Sequence, residues 1–334
     1  AGEVRPNLEK IVARSRGVAE TMNKGVLFLL KKNNVELING FAKLKGNGRI
    51  DVDGTEYEAD HIILATGARP REMPFMPIDG EHVISSKQAL VLPKLPETIA
   101  YFYAALGVKV TIIEYLPQIM PLEDEEVAKT MERSFRKLKA TILTSTTVKS
   151  VKVNAEGKCD VEVEGKKGTE TLVADIVLSA VGIKSNIEGI GLEELGIKTE
   201  RDKVIVDKQY RTNVPGIYAI GDIVPGPALA HVASAEALCC VNAICGLHSE
   251  PVDYTTIPSC VFTSPEVASV GMTERQVKEM GIDYKVGRFP FTASGKATAA
   301  GDRDGFVKLI FDQNDKLLGA HLVGANVTEM LAEP

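Results

Sequence analysis

The chain has 334 residues, of which 44% are hydrophobic and 25% charged, and its formal net charge is −6. This length predicts two or three domains, and the composition is that of an ordinary globular protein. The acidic balance argues against nucleic acid as a partner, and the lack of any apolar run of about 18 residues argues against a membrane span. Five cysteines, an odd number and few for this length, indicate a reducing compartment.

The first hundred residues are predicted to begin with a long helix, because apolar residues recur at helical spacing over residues 7–34. A strand is expected at 35–38 and a small β-meander over 43–50, where glycines and an asparagine mark the turn. An apolar strand is expected at 61–65. The segment 69–96 is rich in proline and is predicted to link two domains.

The middle of the chain alternates between helix and strand patterns. Helices are expected at 101–106 and 123–138, and apolar strands at 108–113 and 175–181, with alternating strands between 148 and 172. This order is typical of an α/β dinucleotide-binding unit.

The last third is predicted to contain a buried strand at 217–220, a helix at 231–245 and then a separate α+β region after Pro258. That region is expected to hold a helix over 273–280 and several strands, near Val261, Val267, Val286, Phe306 and Leu317.

Three strand ends carry residue types suited to coenzyme binding. The strand at 61–65 runs into Thr66 and Gly67, whose small size lets backbone approach a ligand. Asp222 follows a second buried strand, where ligands bind in open α/β sheets. Glu114 follows a third strand and could accept a hydrogen bond from a ribose 2′-hydroxyl while repelling a 2′-phosphate, which favours NAD over NADP. Taken singly, Asp222 is equally explained as a turn residue, whereas a structural glycine turn and a solvated surface glutamate are the better explanations of Thr66–Gly67 and of Glu114.

As an ordered set, these motifs resemble the flavin-dependent pyridine-nucleotide disulfide oxidoreductases, and most closely the lipoamide branch of that family. The resemblance extends over nearly the whole chain. The segments that carry it are ILATGARP (63–70), GVKVTIIEYLPQIMPLEDEEV (107–127), SAVGIKSN (179–186), TNVPGIYAIGD (212–222), PALAHVASAEA (227–237) and SPEVASVGMTE (264–274).

The resemblance implies an α/β fold with two Rossmann-like domains, one for FAD and one for NAD, and an α+β C-terminal dimerisation domain. The expected domains are the C-terminal part of the FAD domain (1–85), the NAD domain (86–187), a central FAD domain (188–253) and the dimerisation domain (254–334). It further implies oxidation of the dihydrolipoyl arm of a carrier protein, with reduction of NAD through FAD.

The implied partners are a second copy of the chain and a lipoyl-bearing carrier of a 2-oxo acid dehydrogenase complex or glycine cleavage system. The implied location is the cytoplasm, or the mitochondrial matrix in a eukaryote. No membrane or nucleic acid is expected.

The site residues are carried over from the resemblance position by position. The residues expected at FAD are Gly40, Thr66, Gly67, Ala68, Asp222, Ala228, Leu229, Ala230 and His231. The residues expected at NAD are Glu114, Val148 and Gly182. Ile183 stands where many family members carry arginine, so this loop gives no argument about recognition of a cofactor phosphate.

Four parts of the family pattern are not found in the sequence. They are the N-terminal glycine motif for the FAD pyrophosphate, the redox Cys-x4-Cys, the C-terminal His–Glu base and the glycine motif of the NAD domain. We therefore expect the sequence to be incomplete at both ends and between residues 100 and 101, and we assign no catalytic residue.

The pair Cys240 and Cys245 has Cys-x4-Cys spacing, but residues five apart on a helix face different directions. We interpret both as packing residues, together with Cys159 and Cys260. No histidine has a second ligand at metal-binding spacing, so no metal site is expected.

Two other interpretations stay open. A related NAD(P)H-linked disulfide reductase or transhydrogenase would share this scaffold, although Glu114 argues against NADPH. If the gaps are real, the chain could instead be a non-catalytic scaffold module.

Overall fold

The computed structural model describes residues 7–93 and 101–333. They divide into two compact units: unit 1 contains 7–8, 72–93, 101–179 and 255–333, and unit 2 contains 9–71 and 180–254. Each unit is therefore assembled from separate stretches of the chain.

The described residues contain helices and short strands in alternation. The helices are α1 (Leu8–Lys32), α2 (Ser86–Ala89), α3 (Tyr101–Ala105), α4 (Glu125–Lys137), α5 (Ala230–Ile244), α6 (Glu274–Glu279) and α7 (Gly295–Ala300). The strands up to residue 143 are β1 (Ala42–Gly46), β2 (Arg49–Val52), β3 (Thr55–Glu58), β4 (Ile62–Leu64), β5 (Ala68–Pro70), β6 (Val83–Ile84), β7 (Thr111–Ile113) and β8 (Thr141–Leu143). The middle strands are β9 (Thr147–Val153), β10 (Cys159–Gly165), β11 (Gly168–Ala174), β12 (Val177–Leu178), β13 (Ile183–Ser185), β14 (Thr199–Glu200) and β15 (Lys203–Val204). The remaining strands are β16 (Ile217–Ala219), β17 (Ser259–Val261), β18 (Glu266–Gly271), β19 (Tyr284–Pro290), β20 (Phe306–Asp312) and β21 (Leu317–Gly324).

Unit 2 combines an antiparallel meander, β1-β2-β3, with the parallel pair β4–β16. Strands β5 and β13 pair antiparallel, as do β14 and β15. Apolar residues of the meander and of both parallel strands share one buried cluster, in which Leu44, Leu64 and Ala219 are at most 7% exposed. This core fixes the two strand ends on which the candidate site is built.

Unit 1 contains two parallel pairs, β6–β12 and β7–β8, the antiparallel sheet β9-β10-β11 and a five-stranded antiparallel sheet. The order in the larger sheet is β17-β18-β21-β20-β19. Helix α4 starts at Asp124, whose side chain accepts a hydrogen bond from the Glu126 N–H and caps the first turn. The same helix buries Val127, Met131 and Phe135 in one cluster with Phe306 of the five-stranded sheet.

Most predicted elements are confirmed, including the long first helix, the meander, α4, α5 and the five strands after Pro258. The predicted strand at 35–38 is wrong: these residues form no regular element, and Val35 and Leu37 are more than half exposed. A strand needs a hydrogen-bonded neighbour, and no described segment pairs with this one. The predicted linker 69–96 contains β6 and α2 in its described part, so it is more structured than expected.

The predicted fold class is confirmed, with short parallel strands and intervening helices in the regions expected to bind nucleotides and an antiparallel sheet near the C-terminus. Among the helices of the described ranges, none has both the length and the apolar character that crossing a bilayer requires.

Candidate functional site

The candidate site of unit 2 lies where β4 and β16 end. The strands are parallel and in register, with Leu64 opposite Ala219. The Ile220 N–H donates to the Leu64 carbonyl oxygen at 3.0 Å, which extends the pairing by one residue. Thr66 and Asp222 follow these two ends, so the structure brings them to the same sheet edge, as the sequence predicted.

The turn after β4 is held by Asn186. The Thr66 hydroxyl donates to the Asn186 carbonyl oxygen at 2.6 Å, and the Asn186 side-chain amide donates to the Thr66 carbonyl oxygen at 3.0 Å. Gly67 has φ +66°, and, apart from its chain neighbours, no atom of the described residues lies within 4 Å of where its Cβ would stand. Ala68 then begins β5. This turn therefore presents open backbone that a ligand can approach closely.

The turn after β16 is fixed from two sides. The Gly221 N–H donates to Glu236 Oε2 at 2.6 Å. The Asp222 carbonyl oxygen accepts hydrogen bonds from Ser185 Oγ and Lys203 Nζ. Within the described residues, the Asp222 carboxylate makes no hydrogen bond or ion pair, so both its oxygens can accept hydrogen bonds from ligand hydroxyls.

Helix α5 begins beside this turn, because a Cβ on Gly221 would lie 3.3 Å from the Cβ of Ala233. The N-cap residue is Leu229, which has no polar side chain to cap the first turn. Ala228, Ala230 and His231 are exposed at the same helix start. A helix N-terminus of this kind favours negative charge on a nearby group.

Gly40 occupies a separate position at the start of the meander. Its φ is +156°, and a Cβ there would lie 2.5 Å from Asp53 Oδ2, whose carboxylate accepts a hydrogen bond from the Phe41 N–H. The position thus requires glycine for local packing. Its predicted contact with the adenine end of FAD remains a prediction.

The residues predicted to bind NAD lie in both units. Glu114 follows β7 in unit 1, and its Oε1 accepts a hydrogen bond from the Leu116 N–H at 2.8 Å. Val148 is half-buried on β9 and packs on an apolar cluster. Gly182 belongs to unit 2, has φ +100°, and its carbonyl oxygen accepts a hydrogen bond from the Arg71 N–H. The sequence lacks the glycine motif of the NAD domain, and the place where that motif is expected, next to residue 100, lies outside the described residues.

The cysteines differ in burial: Cys159, Cys239 and Cys240 are buried and Cys260 is half-buried, but the packing interpretation is wrong for Cys245, which is exposed. All five are free thiols; Cys240 is fully buried on α5, whereas Cys245 is exposed at its C-terminal end. Burial raises the pKa of Cys240 to about 11, so its reactive thiolate is scarce at neutral pH. That this pair is not a redox disulfide stays a prediction. In the described ranges, no cluster of His, Cys, Asp or Glu is arranged to hold a metal ion.

One site residue was missed by the sequence analysis. Glu236 is 1% exposed and supports the Gly221 turn, yet it was quoted only as part of the motif PALAHVASAEA. The signal was an acidic residue on the same helical face as Val232 and Cys239, which are both buried. A charged residue on such a face is rarely buried without a specific partner.

These features together define a nucleotide-binding α/β enzyme. Residues 2–237 match the family model described as pyridine nucleotide-disulphide oxidoreductase, and residues 257–334 match the dimerisation domain of that family. The chain belongs to the pyridine nucleotide-disulphide oxidoreductase family. This family uses FAD and NAD, and its dimerisation domain supports a homodimer.

Two curated relatives named dihydrolipoyl dehydrogenase are each 42% identical to the chain. The protein of Rhizobium etli aligns with 99% of this chain and 76% of its own length, and that of Zymomonas mobilis with 97% and 74%. The first alignment covers 365 positions, 31 more than the 334 residues of this chain, so the relative carries residues within the aligned span that this chain lacks.

The fold is also similar to a solved structure, LpdA from Mycobacterium tuberculosis. The two share 27% sequence identity, with a TM-score of 0.90 over 99% of this chain and 77% of the other.

The residues at the β4–β16 edge fit FAD by their chemistry. The edge combines an open glycine turn, a carboxylate that can accept hydroxyl hydrogen bonds and a helix start without a side-chain cap. These are the groups that a ribityl chain, a phosphate and a flavin ring require from a protein.

Proposed function

We propose that the chain is a dihydrolipoyl dehydrogenase, which oxidises protein-bound dihydrolipoamide and reduces NAD⁺. The observation that carries this proposal is the 42% identity to relatives of that name over nearly the whole chain. Identity at this level, spread over both family domains, favours this activity over that of a more distant disulfide reductase. It also favours an enzyme over a scaffold module.

We assign FAD binding to the edge formed by β4 and β16. Thr66, Gly67 and Ala68 would line the nucleotide, and the Asp222 carboxylate would accept hydrogen bonds from the ribityl hydroxyls. The backbone of Ala228, Leu229, Ala230 and His231 would lie near the flavin ring, and Gly40 near the adenine. When bound, FAD relays two electrons from a dithiol to the nicotinamide.

These residues would orient the bound FAD and stabilise the negative charge on it. The turn at Gly221 is held on both sides by hydrogen bonds, so the backbone that carries Asp222 does not have to be ordered when a ligand arrives. The N–H groups at the start of α5 would stabilise negative charge on the flavin.

We assign NAD binding to Glu114, Val148 and Gly182. One oxygen of Glu114 is engaged by the Leu116 N–H, which would hold the other oxygen for the ribose 2′-hydroxyl. A 2′-phosphate at the same place would be repelled, so NAD is the expected cofactor.

No residue of this sequence is assigned to the disulfide chemistry. The redox cysteine pair and the His–Glu base of the family pattern are not among its residues. Cys240 is buried and on a different face from Cys245, and it is not proposed as a substitute.

We keep the four domains at 1–85, 86–187, 188–253 and 254–334 as a proposal. The dimerisation match at 257–334 supports the last of them, whereas the two compact units change at 71/72, 179/180 and 254/255, and only the last of these points lies next to a proposed bound. The proposed partners are a second copy of the chain and a lipoyl-bearing carrier of a 2-oxo acid dehydrogenase complex or glycine cleavage system. The proposed location is the cytoplasm or the mitochondrial matrix.

The test is a steady-state assay of the full-length protein with dihydrolipoamide as donor and either NAD⁺ or NADP⁺ as acceptor. We expect a flavin absorbance spectrum and a strong preference for NAD⁺. A strong preference for NADP⁺ would contradict the substrate assignment, and purified protein without bound flavin that gains none from added FAD would contradict the cofactor assignment.

A further inference from the structure

A buried carboxylate lies directly beneath the turn proposed to bind FAD. Glu236 of α5 is 1% exposed. Its Oε2 accepts a hydrogen bond from the Gly221 N–H at 2.6 Å, and its Oε1 accepts one from the Tyr254 hydroxyl at 2.7 Å. Within the described residues, Glu236 forms no ion pair with a cation. Both oxygens are thus satisfied by neutral donors only.

The contacts of Glu236 extend to a second part of the proposed FAD edge. The Tyr254 hydroxyl lies 2.9 Å from that of Tyr210, and the Tyr254 ring packs against Gly226. A Cβ on Gly226 would approach this ring to 2.9 Å, so the loop that leads into α5 can follow its path only with glycine there. Glu236 and Tyr254 together join the Gly221 turn, this loop and the body of α5.

The arrangement holds the Gly221 turn in one geometry. Gly221 has φ +72°, and its N–H is anchored by Glu236. On the other side, Ser185 and Lys203 anchor the Asp222 carbonyl oxygen. Loss of Glu236 would leave the N–H of the half-buried Gly221 without its partner and release one side of the turn.

We propose that Glu236 is a positioning residue for FAD, which holds the Gly221–Asp222 turn in its binding geometry and makes FAD affinity depend on pH. This inference rests on the proposed FAD site. Glu236 does not touch the cofactor; it acts through the Gly221 N–H and through Tyr254.

The direction of the pH dependence follows from the surrounding charges. Burial raises the pKa of Glu236, and the negative charge of Asp222 raises it further, against the hydrogen bonds from Tyr254 and Gly221. The other titratable groups of the described residues in this region are the tyrosines and cysteines Tyr210, Tyr218, Tyr254, Cys239 and Cys240, and the cation Lys203, whose Nζ donates to the Asp222 carbonyl oxygen. Phosphates of FAD at this edge would add negative charge and favour the protonated acid. FAD should therefore bind more weakly as the pH rises through the pKa of Glu236.

The test compares Glu236→Ala and Glu236→Gln in the full-length, flavin-stripped protein. FAD affinity is measured by flavin fluorescence from about pH 5 to about pH 9, and exchange of the Gly221 amide by mass spectrometry without FAD. Glu236→Ala should weaken FAD binding about tenfold or more and expose the amide to exchange. Glu236→Gln should keep the affinity of the wild type at low pH, protect the amide and abolish the pH dependence, because Gln can still accept from Gly221. The exposed Glu250, changed to Gln, is the matched control and should behave as wild type.

The outcomes separate this inference from the proposed function. Unchanged affinity and amide exchange in Glu236→Ala would overturn the inference, as would a Glu236→Gln variant that performs no better than Glu236→Ala. Failure of the wild-type protein to bind FAD would refute the proposed function instead, and the amide exchange would still test the role of Glu236 in the turn.

Discussion

Two buried carboxylates, Asp124 in unit 1 and Glu236 in unit 2, are each 1% exposed, but they are stabilised in different ways. Asp124 accepts a hydrogen bond from Lys308 at 2.9 Å, and this lysine is itself 1% exposed. Lys308 Nζ also forms ion pairs with Glu274 Oε2 at 2.6 Å and with Glu126 Oε1 at 3.1 Å. Glu236 has no cation beside it within the described residues, only an N–H and a tyrosine hydroxyl.

The difference appears in the direction of the pKa shifts. Burial is the largest influence on Asp124 and opposes its ionisation, but the hydrogen bond and charge of Lys308, together with hydrogen bonds from the Glu126 and Glu274 N–H groups, outweigh it and lower the pKa. For Glu236 burial prevails and the pKa is raised. Asp124, with its lowered pKa, stabilises the fold at pH values at which its carboxylate is charged. Glu236, with its raised pKa, stabilises the fold below the pKa of the unfolded state, and this contribution is lost as the pH rises through the folded-state pKa. Lys308 keeps the Asp124 carboxylate charged, and the pair stabilises the fold. Because Glu236 has no such cation, its protonation is sensitive to negative charge added nearby.

The largest effect is expected from Lys308→Met. The substitution leaves Asp124 buried without its cation, which costs about 3–5 kcal/mol of unfolding free energy. Urea unfolding measures it, with Lys285→Met as the control. Lys285 pairs with Asp315 at the surface, and its loss should cost less than about 1 kcal/mol. Equal losses of unfolding free energy in the two variants would show that the buried ion pair contributes no more to stability than the surface pair.

Acid should weaken the same cluster. Hydrogen bonds from Lys278 and Lys308 lower the pKa of Glu274 to about 2. Because the folded pKa lies below the unfolded value, the stabilisation is complete above pH of about 4.5 and is lost as the pH falls towards 2. We expect a loss of about 2–3 kcal/mol in urea unfolding across this window. The Lys308→Met variant should lose less unfolding free energy than the wild type between these pH values. An identical loss in the two proteins would contradict the role of Lys308 in lowering the pKa of Glu274.

The smallest effect is expected from Tyr210→Phe. It removes the hydroxyl that pairs with Tyr254 but keeps both contacts of Glu236. Unfolding free energy should fall by about 1 kcal/mol, measured by the urea midpoint. Tyr57→Phe is the control and should leave the midpoint unchanged, because Tyr57 is only half-buried on the otherwise exposed strand β3. A loss above about 3 kcal/mol would mean that Tyr210 orders the network more strongly than one hydrogen bond can explain.

The strand ends of the candidate site were predictable because apolar runs that end in small or acidic residues mark them directly. Thr66 and Asp222 were found in this way. Their partners were not, since Asn186 lies 120 residues from Thr66 and the pairing depends on the tertiary fold. Lys308 had a readable signal: strand alternation places it on the inward face between Phe306 and Ile310. The partners of a buried lysine cannot be read from the sequence alone.

The segment at 35–38 shows the opposite case. Its β-branched and apolar residues have the local preference of a strand, but preference alone does not supply a hydrogen-bonding neighbour. Helix α1, which precedes it, is 25 residues long and buries none of its side chains, although its apolar residues recur at helical spacing. The helical spacing of its apolar residues predicted α1 correctly. That spacing did not predict that the side chains of α1 would remain unburied.

The central claim is that the β4–β16 edge binds FAD through the Asp222 carboxylate. The most direct measurement is the FAD dissociation constant of flavin-stripped, full-length protein with Asp222→Ala, beside the wild type and Asp60→Ala on the exposed approach to β4. FAD should bind at least about tenfold more weakly to Asp222→Ala, and its affinity for Asp60→Ala should equal that of the wild type. Equal affinity in all three proteins would contradict the claim.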